Sequence, residues 1–296
     1  MYREIVVPVD DQHGFDALPT AVELSRVAGA QLTVLGVVRD ESHAEERRAL
    51  VARHIEGLDR ARAETVIVHH KDAAKAILAH AQSSDQVICM AVGGPHHLTD
   101  PVLGGVTERV VNHSPHPVVV VGRHCAPERR SDIKRLIVAL DGTPPGDHAL
   151  DVAALWASAF GVALMLVEVL KVNVHTSRAI DASGHGGGTG EHNYLMARAR
   201  DIQRRGLDVS WEVLHDVPAR RHHHHPAHAV IDYAASVAGS MLVIATTGRE
   251  GLRLAISGST THYLIAHSPV PVLVTHRGHP EELPAEVFLT GASEHN

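Results

Sequence analysis

Apolar residues along the chain fall into short continuous runs, each followed by a turn and then by a stretch with helical spacing. Ile5-Val6-Val7-Pro8-Val9 is the first run and stops at Asp10-Asp11, as a strand buried on both faces would. Between 15 and 28, Ala17, Ala21, Leu24 and Ala28 line one helical face, with Leu18 and Val22 beside them and Gly29 to close it. Residues 32–38 predict a second strand, and the charged stretch 41–57 an amphipathic helix. A short third strand follows at 66–68, then a helix capped by Asp72 and running to about residue 81, then a fourth strand at 87–91. Strands that alternate with helices predict an open parallel sheet with helices on both faces.

The pattern then starts again. A strand at 136–140 ends in Asp141-Gly142-Thr143, and a helix is predicted over 147–159. Strands follow at 162–169 and 209–214, a helix at 227–237 and a strand at 241–245. The two copies also share a loop. Ala91, Gly94 and Gly104 match Ala245, Gly248 and Gly258 in the spacing Ala-x2-Gly-x9-Gly. Each loop lies between an apolar strand and a helix start, and each copy closes on one phrase. These are His113-Ser114-Pro115-His116-Pro117-Val118 and His267-Ser268-Pro269-Val270-Pro271-Val272. The chain is a tandem duplication.

The offset between copies shows where they differ. It is 131 residues from Asp10 to Asp141 and 132 from Val37 to Val169, but 154 from Gly94 to Gly248. The added residues therefore lie between the second and fourth strands of the second copy. They coincide with Gly- and His-rich segments near 172–193 and 218–226, the first of which composition reads as flexible loop. The expected division is a first domain over 1–124, a linker over 125–132 and a second domain over 133–296.

Composition narrows the function. The chain has 296 residues, 44% of them hydrophobic, enough for two ordinary cores. No apolar run reaches membrane-spanning length, and no signal-peptide pattern precedes the first strand. Two cysteines, Cys89 and Cys125, make no disulfide framework and fit a reducing cytoplasm; Cys89 reads as a small buried hydrophobe. A net charge of −7 and 3% aromatic residues disfavour nucleic acid as a partner.

The loop-bearing stretches carry the candidate chemistry. Glycine lets backbone approach a ligand closely, and a helix N-terminus presents free N–H groups and a dipole that suit phosphate. The Gly-x2-Gly-x9-Gly-Ser/Thr loop, the Asp after the first strand and the Pro-x-Pro-Val final strand together resemble the universal stress protein family. The resemblance covers nearly the whole chain twice. It implies two open-twisted five-stranded α/β domains, Rossmann-like, whose final strands pair with each other as an internal pseudo-dimer. It also implies an adenine nucleotide, ATP or AMP with Mg²⁺ allowed beside it, at the carboxyl ends of the strands.

Carried over residue by residue, the resemblance sets Ala139, Leu140 and Asp141 beside the adenosine and Val169 at the adenine edge. Ile244 and Ala245 pass under the ribose, and Gly248, Gly258, Ser259, Thr260 and Thr261 cradle the phosphates. The matching positions of the first copy are Pro8, Val9, Asp10, Val37, Met90, Ala91, Gly94, Gly104, Gly105, Val106 and Thr107. Ala91 and Ala245 stand where the family has its first glycine, and Gly105 stands where it has Ser or Thr. The first loop holds Asp100 and no arginine, whereas the second keeps Arg249 and Arg253, so Coulomb attraction favours the second site. Asp10 and Asp141 also suit a plainer task, capping the helix that follows.

No Walker lysine, Gly-x-Ser-x-Gly elbow or Gly-x-Gly-x-x-Gly turn occurs. Catalysis is thus expected to amount at most to slow ATP hydrolysis, and no catalytic residue is assigned. Among 26 histidines, His225 and His228 stand at metal-ligand spacing at a helix start, yet no thiolate completes a site and no residue is assigned to metal. Two readings of function stay open: a cytoplasmic stress-response sensor or adaptor that binds an adenine nucleotide and passes its state to an unknown protein partner, and a nucleotide-free scaffold or dimerisation module responsive to metal through its histidines. The first leaves room for a further homodimer.

Overall fold

The apolar runs become the strands of one sheet in a computed structural model that describes residues 2–10, 14–56, 63–92, 103–170, 189–215, 226–246 and 259–276. The first copy supplies β1 (Glu4–Val9), β2 (Gln31–Val38), β3 (Ala63–His69), β4 (Gln86–Ala91) and β5 (Val118–Val121). The second supplies β6 (Arg135–Leu140), β7 (Ala163–Leu170), β8 (Val209–His215), β9 (Ser240–Thr246) and β10 (Val272–His276). The helices of the first copy are α1 (Leu18–Ala28), α2 (Ala44–His54), α3 (Ala73–His80) and α4 (Gly105–His113). Those of the second are α5 (Pro144–Phe160), α6 (Thr189–Arg204), α7 (Pro226–Ser236) and α8 (Ser259–His267).

Strand order across the sheet is β3-β2-β1-β4-β5-β10-β9-β6-β7-β8. Neighbours are parallel except at the centre, where β5 and β10 run antiparallel with Val120 opposite Val272 and Val118 opposite Val274. This is the pairing of final strands that the family resemblance implies. All four residues of β5 are buried, as are Val272, Leu273 and Val274. An all-valine strand suits a site with apolar layers on both sides.

Because side chains alternate along a strand, the sheet has two cores, and each runs through both copies. Ile5, Leu24, Val34, Leu136, Trp156, Leu166 and Leu273 belong to one. Val6, Leu35, Ile77, Ile137, Val167, Ile265 and Val272 belong to the other. On the first face Tyr2 of one copy meets Trp156 of the other. The indole Nε1 donates to the Tyr2 hydroxyl at 2.8 Å and the ring centroids lie 5.3 Å apart.

The connection between copies is tied to both. Arg130 forms an ion pair with Asp16 at 2.7 Å, and its backbone carbonyl accepts from Thr20 on α1 at 2.5 Å. Next to it, Arg129 donates to the Ala235 carbonyl at 2.7 Å, at the end of α7. A cation there satisfies orphan carbonyls and complements the helix dipole.

Element boundaries follow local chemistry. Gly29 and Gly161 end α1 and α5 at φ of 64° and 63°, the left-handed conformation that glycine adopts without penalty. Asp72 caps α3 by accepting from the Lys75 N–H. Two predicted helices start differently from expectation. Residues 14–17 form a 3-10 turn before α1, and 41–43 another before α2, where Asp40 accepts from the Ser42 N–H. The helix expected from 147 starts at Pro144, because Thr143 caps it and the two prolines fit its first turn.

The α6 helix is the element that the sequence pattern did not announce, and it begins inside the segment read as a loop to 193. Its buried stripe is Leu195, Ala199 and Ile202. Tyr194 packs beside it, behind a Gly- and His-rich lead-in that hides the period.

Candidate functional site

Each copy opens a crevice where its chain reverses direction across the sheet. β1 leads to β2 on one side, whereas β4 leads to β5 on the other. The β1–β4 ladder ends at Val6 opposite Ile88, while β1 stays paired with β2 as far as Val9 opposite Gly36. The second copy behaves alike. The β6–β9 ladder ends at Val138 opposite Val243, and β6 follows β7 to Leu140 opposite Glu168. Strands that part at their carboxyl ends at such a switch point form the ligand crevice of open α/β sheets.

In the second crevice, Ala139, Leu140 and Asp141 lie at the end of β6, and Ile244 and Ala245 at the end of β9. Asp141 is exposed, and Ala139, Val169 and Ala245 are half-buried, whereas Leu140 and Ile244 are buried. The Asp141 Oδ1 accepts from the Thr143 N–H at 3.1 Å and from its hydroxyl at 2.5 Å. Thr143 in turn accepts from the Gly146 N–H at 3.4 Å. The carboxylate therefore orders the turn before α5 by holding Thr143, and Thr143 rather than Asp141 is the cap of that helix. Thr260 and Thr261 lie in the first turn of α8, whose leading N–H groups have no intrahelical acceptor. The Thr261 hydroxyl points inward, to the Ala245 carbonyl at 3.4 Å.

The first crevice has the same plan. Pro8, Val9, Met90 and Ala91 are buried, Val37 is half-buried and Asp10 is exposed. Asp10 accepts from the Gly14 N–H at 2.8 Å. A Cβ on Gly14 would come within 2.5 Å of the Val9 Cα, so only glycine lets the chain fold back this closely. Gly104 caps α4, Gly105 and Val106 are exposed in its first turn, and the buried Thr107 hydroxyl reaches the Ala91 carbonyl at 3.3 Å. Gly94, Gly248 and Gly258, and the loop arginines 249 and 253, lie outside the described residues.

Three contributors escape sequence reasoning. Thr143 was legible as a hydroxyl residue directly before Pro144, and Gly14 less so. Arg47 gave no signal, since a charged helix reads as a solvated face; it reaches the first crevice, where its Nη1 donates to the Val9 carbonyl at 3.2 Å.

The histidine hypothesis meets a different arrangement. His225 is outside the described residues. His228 faces the Tyr263 ring with centroids 5.0 Å apart; Tyr263 stacks on His267 at 3.8 Å, and His267 on His124 at 5.5 Å. Stacked rings do not converge their lone pairs on a shared ion. Among the described residues, no group of three or more His, Cys, Asp or Glu side chains could hold a metal. Cys89 is buried, its Sγ 3.7 Å from the Ala17 carbonyl, and burial pushes its thiol pKa up. No helix of the described residues is long and apolar enough to cross a membrane.

Comparison with known proteins agrees with this architecture. The model of the universal stress protein family matches residues 1–122 and 132–276. Among curated proteins, none matches. A universal stress protein from Archaeoglobus fulgidus DSM 4304 superposes with a TM-score of 0.66 at 21% identity, covering 93% of this chain and 98% of that one. A functionally unknown protein from Pseudomonas aeruginosa PAO1 gives 0.56 at 19% identity, over 93% of this chain and 92% of that one. At such identity these two likenesses speak for the fold.

Proposed function

This chain belongs to the universal stress protein family, and on that basis we propose that it binds an adenine nucleotide, ATP or AMP, in the crevice of its second copy. The observation that carries the reading is the second crevice itself. β6 and β9 part after Val138 and Val243, an exposed Asp141 stands at one lip, and the first turn of α8 stands at the other. A carboxylate that accepts from a ribose hydroxyl or adenine amine and a helix start that donates to phosphate would fix both ends of one nucleotide. Ala139 and Ala245 are half-buried where their counterparts Pro8 and Ala91 are buried.

The nucleotide would act as a signal rather than as a substrate, with the protein serving as a cytoplasmic stress-response sensor or adaptor. Phosphoryl transfer needs positioned cations at the γ-phosphate, and the described walls of the second crevice supply backbone and the carboxylates of Asp141 and Glu168. The division into domains at 1–124 and 133–296 fits a pseudo-dimer in which β5 and β10 satisfy each other. A further homodimer would have to use another surface.

One set of observations favours the scaffold reading. The Asp10, Asp141, Thr107 and Thr261 side chains all hold the protein's own backbone or turns. A single experiment separates the two. The untagged protein is denatured, the supernatant is analysed for adenine nucleotides, and the refreshed protein is titrated with ATP by calorimetry. About one nucleotide per chain, with affinity reduced roughly tenfold in Asp141→Asn, supports the sensor. Asparagine keeps the Thr143 acceptor, so the fold survives the change. No bound nucleotide and a flat titration would leave the scaffold.

A further inference from the structure

In the first copy a side chain of the same domain lies over the strand ends beside the crevice. Arg47, on α2, donates to the carbonyl of Val9, the last residue of β1. Its aliphatic stem lies on Gly36, where an added Cβ would come within 2.7 Å of the Arg47 Cγ and 3.3 Å of its Cδ. Gly36 is the register partner of Val9 and precedes Val37. The arginine therefore spans the ends of β1 and β2 on the face that Val9 shares with Gly36, beside the strand ends where the resemblance sets an adenosine. A second contact keeps α2 in place: the His54 ring stacks on Phe15, centroids 3.7 Å apart at 11°. Phe15 belongs to the 3-10 turn that follows Asp10.

The second copy lacks this arrangement. The register position of Gly36 is taken by Glu168, opposite Leu140, so no stem can lie flat on the strand there. Among the described residues no side chain donates to the Leu140 carbonyl. Instead α6 is drawn sideways to α5, where Tyr194 and Arg198 both bond Asp147, at 2.8 and 2.5 Å.

We propose that Arg47 is a built-in stopper that closes the first crevice to adenine nucleotides, so that the duplicated chain carries one working site and not two. This rests on the nucleotide reading above and adds a reason for the asymmetry. A nucleotide entering the first crevice would have to displace a hydrogen bond with a charged donor and lift the stem from Gly36. Removing a bond of that class changes an equilibrium by roughly tenfold or more.

The test is photolabelling with 8-azido-ATP followed by peptide mapping, alongside titration calorimetry with ATP. It compares the wild type with Arg47→Ala, with Arg47→Met, which keeps an aliphatic stem on Gly36, and with Arg48→Ala as a control for charge. The expected result is label in second-copy peptides alone for wild type and Arg48→Ala. In at least one Arg47 variant that melts cooperatively, first-copy peptides become labelled too and the stoichiometry approaches two. Label confined to the second copy in both Arg47 variants overturns the stopper and leaves the nucleotide reading intact. Label in the first copy of the wild type overturns it as well. Label that appears only in the first copy of the Arg47 variants supports the stopper and removes the second-copy site. No label in any protein removes both.

Discussion

Thr107 and Ala91 are joined by a hydrogen bond of 3.3 Å from hydroxyl to strand carbonyl, and the second copy repeats it as Thr261 on Ala245 at 3.4 Å. In both copies the two partners stand 16 residues apart. The bond ties the end of a central strand to the first turn of the helix beyond the loop, which fixes both ends of that loop. A fixed span explains why the gap between glycines is the same in both copies although the loop interiors differ. It also means that the Thr107 and Thr261 hydroxyls serve the fold.

Thr107→Val tests that role. Valine keeps the volume of the buried threonine but leaves the Ala91 carbonyl without its donor, which costs about 1–3 kcal/mol for a buried group. Chemical denaturation should show a lower midpoint with an unchanged slope. A midpoint equal to wild type would mean that the carbonyl finds another donor and that the bond does not fix the loop.

Tyr2→Phe should loosen the two copies from each other. Trp156 is fully buried, and the tyrosine oxygen is the acceptor for its indole N–H at 2.8 Å. Phenylalanine keeps the ring contact and removes the acceptor, for an expected loss of about 1–2 kcal/mol. The buried position and the Trp156 bond act oppositely on the Tyr2 hydroxyl; burial dominates and raises its pKa. Urea unfolding followed by tryptophan fluorescence reads the change. Two separate transitions in the variant would show that the shared core alone does not make the copies cooperative.

Much of this architecture was legible in the sequence because the apolar runs are buried on both faces and need no alternation to be recognised. Val118–Val121 could hardly be anything but a central strand. The duplication supplied the rest, since the phrase His-Ser-Pro-x-Pro-Val marks both partners of the central antiparallel pair. Sequence reading failed where tertiary contact, not period, decides. Leu195, Ala199 and Ile202 are too few to announce α6 from behind a glycine-rich stretch. Arg47 looks like any solvated cation until Gly36 is placed beneath it. The candidate site was legible as strand ends and helix starts, but not in the uses to which Asp141 and Thr261 are put.

Acid should weaken the join between α3 and α4 in a defined window. Arg109 donates to Asp72 at 2.6 Å, and the Lys75 N–H donates to the same carboxylate at 3.2 Å. The Arg109 hydrogen bond first, then the Lys75 N–H, hold the Asp72 pKa at about 2. An unfolded aspartate titrates near 3.9. The folded value is the lower one, so the contribution is complete above about pH 4 and is lost as pH falls toward 2. Asp72→Asn keeps an N-cap and abolishes the titration. Its melting temperature should fall less steeply than that of wild type between pH 4 and 2; parallel curves would place the pair outside the stability of the fold.

A second pH effect should arise near neutrality from the ring column at α8. His267 lies between Tyr263 and His124, with its Nδ1 3.0 Å from the Tyr263 carbonyl. Burial is the largest cause that lowers its pKa; the charges of His124, His228 and His262 act in the same direction, against the carbonyl. An unfolded histidine takes its proton near pH 6.5. Below that pH the unfolded chain gains a proton that the folded site resists, so stability falls as pH drops from about 6.5 toward the lower folded value. His267→Gln removes the titrating group while keeping a side-chain amide that can reach the Tyr263 carbonyl. With the other histidines common to both proteins, the difference between their melting curves isolates this one. Wild type should lose melting temperature more steeply than the variant from pH 7 to 5. Equal slopes would show that the folded column accepts the proton as readily as the unfolded chain, which would contradict the burial of the ring as the controlling cause.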